Sequence, residues 1–104
     1  YNKKISKMKK EIFDTYAELV AEQFYISLED MFSKSRVSPR PEARQMLYYL
    51  AYERPIKISS IRRFMEKNGL PVQHNTIMNG VEKAKKLVDQ DKDYQEFVKK
   101  ISNV

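Results

Sequence analysis

Apolar residues recur at steps of three and four along most of the chain, the pattern of helices that bury one face. Ile5, Met8, Ile12, Tyr16, Leu19 and Val20 form the first such stripe and predict a helix over about residues 5–25. Lys3, Lys4, Lys7, Lys9 and Lys10 fall mostly outside the stripe and are expected to face water. This helix is long for a chain of 104 residues. Residues 1–15 are therefore expected to project, as a connector to a further domain or as an arm for a partner. A short second helix is expected over 28–32, where Ser27 precedes it and Asp30 follows three residues on, a capping-box spacing. Residues 33–41 carry three serines and two prolines and predict a loop.

Pro41 suits the first turn of a third helix that runs to about residue 53. Ala43, Met46, Leu47 and Leu50 make its buried stripe, flanked by Tyr48, Tyr49 and Tyr52. Those tyrosines are expected to pack against neighbouring helices rather than to stack on bases. Arg54-Pro55 ends the helix. Ser59 or Ser60 is expected to cap a fourth helix with Ile61, Phe64 and Met65 inward. Asn68-Gly69 stops it, because glycine takes the left-handed conformation at no steric cost. A fifth helix is expected to begin near His74 or Asn75, with Ile77, Val81, Ala84 and Val88 inward. Asp93 to Glu96 has capping-box spacing and is expected to open a last helix with Tyr94, Phe97, Val98 and Ile101 inward. The fold expected is all-α: a compact bundle of about six helices with a long N-terminal helix, one domain over residues 1–104.

Composition agrees with that class. The chain has 2 Gly and 4 Pro, with 41% hydrophobic and 33% charged residues, enough apolar material for a modest core. Lys and Arg number 20 against 14 acids, a net charge of +6. Such a surface attracts DNA, RNA or an anionic membrane, and charge alone does not choose among them. No cysteine is present, which excludes disulfides, thiolate chemistry and cysteine–zinc sites. No apolar run is long enough to span a bilayer and no signal-peptide pattern opens the chain, so a cytoplasmic setting is expected. The chain begins at Tyr1 rather than Met and is expected to be a processed chain or a piece of a longer protein.

Enzyme chemistry has little to work with. His74 is the only histidine, so Cys–His pairs cannot form and a Ser–His–acid triad would rest on one side chain at a helix start. Asp89, Asp91 and Asp93 imitate the opening of a calcium loop, but Tyr94 and Lys100 stand where that loop needs Gly and Glu. No glycine-rich phosphate cradle can be built from Gly69 and Gly80. The first helix carries Glu11, Asp14, Glu18 and Glu22 on its polar face, which argues against an anionic membrane surface. No catalytic residue, metal, cofactor, small-molecule substrate or membrane partner is expected.

The strongest constellation is residues 58–86. Two helices are joined by a connector containing Gly69, and the second opens with Gln73-His74-Asn75-Thr76. This is the layout of a helix-turn-helix, whose second helix lies in the major groove. Gln and Asn can pair bidentately with adenine, Thr can touch a thymine methyl, and His can donate to an acceptor. The helix N-terminus offers free N–H groups to phosphate. A plain helical hairpin with a polar cap has the same local pattern. The accompanying cations shift the balance: Lys34, Arg36 and Arg40 in the loop, Arg44 and Arg54 on the third helix, and Arg62-Arg63 on the fourth.

The chain resembles the C-terminal DNA-binding domain of the bacterial replication initiator DnaA, a helix-turn-helix fold related to the Trp repressor. The resemblance covers roughly residues 16–100. It begins with Val20-Ala21-Glu22-Gln23-Phe24-Tyr25-Ile26, then Leu28, Asp30, Ser33-Lys34 and Arg36. Arg44-Gln45-Met46 and Leu50-Ala51 resemble the family's central helix. His74-Asn75-Thr76-Ile77 resembles the His-Thr-Thr-Val core of its signature, and Val81-Glu82-Lys83 continues that helix. The resemblance implies base reading by His74 and Thr76, with Asn75 at a varied position. It implies backbone or minor-groove contact by Lys34, Arg36 and Arg44. The chain departs from the family at Gln73, where an Asp is usual, at Glu42, where a basic residue is usual, and in a connector longer by several residues. A phage- or mobile-element-encoded relative, or a divergent initiator, fits such drift.

The candidate base-reading residues are thus Gln73, His74, Asn75, Thr76 and Asn79. The candidate backbone or minor-groove cations are Lys34, Arg36, Arg40, Arg44, Arg62, Arg63 and Lys83. The expected partner is double-stranded DNA, in replication initiation or its control, at the nucleoid; other replication or transcription proteins are further candidates. The alternative reading is a helical protein–protein module of a replication or transcription complex.

Overall fold

The computed structural model describes residues 2–101, with side chains from Met8 onward. Ile5, Lys3, Lys4 and Lys7, placed on the first helix by the sequence pattern, lie outside the described side chains. Six helices follow one another: α1 (Asn2–Gln23), α2 (Leu28–Met31), α3 (Arg40–Glu53), α4 (Ile58–Lys67), α5 (His74–Gln90) and α6 (Lys92–Ile101). No strand occurs among the described residues, so the all-helical class and the number of helices are as expected. The radius of gyration of 12.8 Å matches a compact chain of this length, about 13 Å.

α3 is the central element. Ala43 and every residue from Met46 to Ala51 are buried, so this helix is covered on nearly all sides. Its largest interface is with α5, and α1, α2 and α4 pack around the rest. Tyr48 and Tyr49 are buried there, as packing residues, while Tyr52 remains exposed.

The buried face of α1 is rotated from the one expected. Phe13, Tyr16, Ala17, Val20 and Ala21 are buried; Ile12 and Leu19 only flank the core, and Met8 is 53% exposed. The two alanines let α1 lie close to its neighbours. Phe13 supplies the bulk, packing its ring 5.5 Å from that of Phe64 on α4. A left-handed residue ends α1: Tyr25 has φ 56°. The Tyr25 N–H donates to Glu22 O at 3.2 Å and the Ile26 N–H to Ala21 O at 3.0 Å, the paired bonds of a Schellman stop. Ser27 caps α2 as expected, its hydroxyl oxygen accepting the Asp30 N–H at 3.0 Å.

Two caps differ from expectation. α4 starts at Ile58 behind Lys57, with no side-chain cap, so Ser59 and Ser60 lie inside the first turn. α6 is capped by Asp91, whose Oδ1 accepts the Asp93 N–H at 2.9 Å; Asp93 is already helical. Both corrections have one cause. In both helices the N-cap residue stands at least two positions before the expected cap, where the apolar register places it. Ile58 packs against the core and draws the start of α4 forward. Gly69, at φ 94°, ends α4, and Leu70 folds back as a buried plug with its N–H on Met65 O at 3.0 Å.

Candidate nucleic-acid interface

α5 begins at His74 behind an extended Gln73 that makes no side-chain cap, and its first turn contains no acid. The positive end of the helix dipole is therefore unneutralised by any residue of that turn. Ile77 is fully buried against the core, which sets the rotation of the helix. Gln73, His74, Asn75, Thr76 and Asn79 are all exposed. Thr76, Asn79 and Lys83, at i, i+3 and i+7, form one outward row.

The loop before α3 is held in shape from beneath. The Arg44 guanidinium donates through Nη1 to Met31 O at 3.2 Å and Ser33 O at 2.9 Å, and through Nη2 to Ser35 O at 2.6 Å. Burial pulls the Arg44 pKa below its ordinary value, against the pull of Tyr48 and Glu42. Arg40 adds a second tie: Nη1 donates to Ser35 Oγ at 2.9 Å and Nη2 pairs with Asp30 at 3.3 Å. Glu42, in the first turn of α3, accepts the Ser38 hydroxyl. Of the four basic residues read from this region, Arg40 and Arg44 brace the loop, whereas Lys34 and Arg36 are exposed.

These pieces meet in one open cleft of about 390 Å³ between the loop, α3 and α5. Arg36 comes from the loop and Arg44 from α3; Thr76, Asn79 and Lys83 come from α5. Five candidates read from the sequence are thus brought together, and no acid is among the lining residues. Gln45, Tyr48 and Gly80 also line the cleft and were not among the candidate site residues. One signal could have found Gly80. A glycine inside a helical stripe lowers helix stability and often marks a close approach of neighbouring backbone or side chains.

Arg62 and Arg63 stand elsewhere. They line a second groove of about 480 Å³ with Ser59, Glu66, Val72 and Gln73, so this groove reaches the same end of α5 through Gln73. Arg62 Nε donates to Val72 O at 3.2 Å, tying the connector to α4. The Arg63 guanidinium lies 5.7 Å from the centre of the Phe64 ring. Glu66 places a carboxylate in this groove, so it is less positive than the cleft. Among the described residues no group of three His, Cys, Asp or Glu side chains could hold a metal ion. Among the described residues no helix is long and apolar enough to cross a membrane.

No family model matches the chain. The chain is similar to the chromosomal replication initiator protein DnaA of Bdellovibrio bacteriovorus. The two are 30% identical over 98 residues, which cover 84% of this chain and 19% of that protein. The chain therefore spans about a fifth of the length of that relative.

Proposed function

We propose that this chain binds double-stranded DNA with sequence preference, as a helix-turn-helix built from α4 and α5, in replication initiation or its control. The observation that carries the reading is the acid-free cleft. It joins Arg36, Arg44 and Lys83 to the exposed, uncapped polar start of α5. The similarity to a replication initiator supports the replication setting and, with it, a place at the nucleoid in the cytoplasm.

In this reading the first turns of α5 enter the major groove. Gln73, His74, Asn75, Thr76 and Asn79 face base edges, where amides and hydroxyls discriminate donors from acceptors. Lys34, Arg36 and Lys83 hold phosphates or enter the adjacent minor groove, and Arg62 and Arg63 hold the backbone on the other flank. Arg40 and Arg44 act on the DNA chiefly by fixing the loop that presents Lys34 and Arg36. The functional part needs no cofactor: recognition rests on charge, hydrogen bonding and shape.

The test compares random and selected duplexes at low salt. Arg36→Ala weakens binding to both by a similar factor. Thr76→Ala lowers binding to the selected duplex alone, by about 1–3 kcal/mol for a good base contact. Equal losses on both duplexes from both variants refute the assigned roles. A chain that leaves every duplex unretarded, yet captures a replication or transcription protein, is the helical interaction module instead.

A further inference from the structure

We infer that Gly80 and Tyr48 form a matched pair that sets the distance between the base-facing row of α5 and the cations of α3 and the loop, and thereby sets the sequence preference. The inference rests on the DNA-binding reading above.

Gly80 sits inside α5, where glycine weakens the helix relative to alanine. Its backbone is ordinary helix rather than left-handed; Gly69 is the only glycine with positive φ. What glycine supplies here is room. A Cβ at this position would lie 2.7 Å from Tyr48 Cδ2 and 3.5 Å from Gln45 Cγ. The first distance is shorter than any ordinary contact. The obstacle is a stiff ring, 2% exposed in the core, and close-packed interiors do not let such a ring swing aside.

The pair stands at the centre of the cleft. Thr76, Asn79 and Lys83 lie at i−4, i−1 and i+3 from Gly80 along α5. On α3, Arg44 lies one turn before Tyr48 and is bonded to the loop that carries Arg36. The ring of Tyr48 therefore stands between the two halves of the surface as a fixed spacer. A methyl group on Gly80 forces α5 outward and carries its outward row away from the cations as a unit. Gly80 and Tyr48 are positioning residues; in this arrangement the contacts to bases and phosphates come from their neighbours.

The test measures the ratio of affinities for a selected and a random duplex in four proteins: wild type, Gly80→Ala, Tyr48→Leu, and the double variant. Helical circular dichroism shows which are folded at the temperature of measurement. Gly80→Ala is expected to lower the ratio by roughly tenfold, the worth of about one base contact. The smaller leucine makes space for the new methyl group, so the double variant is expected to recover most of the ratio. A merely structural role lowers stability without moving the ratio. If Gly80→Ala does not fold, Tyr48→Leu alone decides, because it leaves a gap opposite Gly80 and slackens the same spacing. An unchanged ratio in the folded single variants, or no recovery in the double variant, overturns the pair's role while leaving DNA binding intact. A wild type with no preference among duplexes overturns both.

Discussion

Arg44 shows how one side chain serves a surface without belonging wholly to it. Its guanidinium gathers the last carbonyl of α2 and two loop carbonyls within 3.2 Å, and so converts a serine-rich segment into a defined platform for Lys34 and Arg36. Hydrogen bonds from a charged donor contribute more than neutral ones, and carbonyls left without a partner carry a cost. Arg44→Ala is expected to destabilise the fold by about 2 kcal/mol and to speed amide exchange across residues 32–39. Arg44→Lys is expected to recover little, because a point charge cannot reach three carbonyls in a fork. Denaturant unfolding with hydrogen exchange checks both; unchanged exchange in the loop contradicts the bracing role.

Tyr48 carries a pH signature of the same packing. Burial pushes its phenol up to about 12, with Arg44 pulling it down. An unfolded tyrosine ionises near 10. The folded state thus keeps the proton longer, so this stability is whole below pH 10. It is lost as pH rises through about 12, at about 1.4 kcal/mol per pH unit in between. Lysines also titrate there, so the comparison is between wild type and Tyr48→Phe. The wild type is expected to lose stability more steeply between about pH 10 and 12; parallel profiles contradict the buried phenol.

At the scale of elements, caps separate what the chain states openly from what it conceals. Asp91 rather than Asp93 accepts the first-turn N–H of α6. Asp91→Ala is expected to cost about 1 kcal/mol, and Asp93→Ala only the few tenths due to a charge near a helix start. The reverse order in thermal unfolding contradicts the assignment. Five of the helices were legible because each has its own apolar period and the short α2 through its cap at Ser27, and α5 was legible to within a residue of its start and at four of its five buried positions. The face of α1 was not. Periodicity alone does not choose between Ile12 and Phe13, and the choice falls on the ring that meets Phe64. The candidate residues were legible as types, since polar side chains at a helix start and cations in a loop stand out. Their division of labour was not, because carbonyls 11 and 13 residues before Arg44 leave no mark near it. Gly80 escaped for a similar reason: its partner, Tyr48, lies 32 positions away.

At the scale of the molecule, the charge of +6 acts over distances near the Debye length, about 8 Å at physiological salt. Duplex binding is expected to weaken with salt, with a slope of roughly −3 to −5 on logarithmic axes if three to six phosphates are neutralised. Arg36→Ala is expected to reduce that slope by about 1. A slope near zero contradicts an interface built on phosphate contacts. The pocket between Tyr16, Glu53, Arg54 and Val98 carries a carboxylate beside its arginine and offers a weaker attraction to a polyanion. The positive surface thus has a direction as well as a sum.

That direction can be read in a single titration. The backbone amides of an isotope-labelled chain are followed by NMR as a short duplex is added at low salt. Residues 73–79, the loop around Arg36, and Lys83 are expected to shift together, while the amides around Tyr16, Val98 and Phe97 stay in place. Shifts confined to the α1–α6 side, with residues 73–79 unmoved, contradict the account.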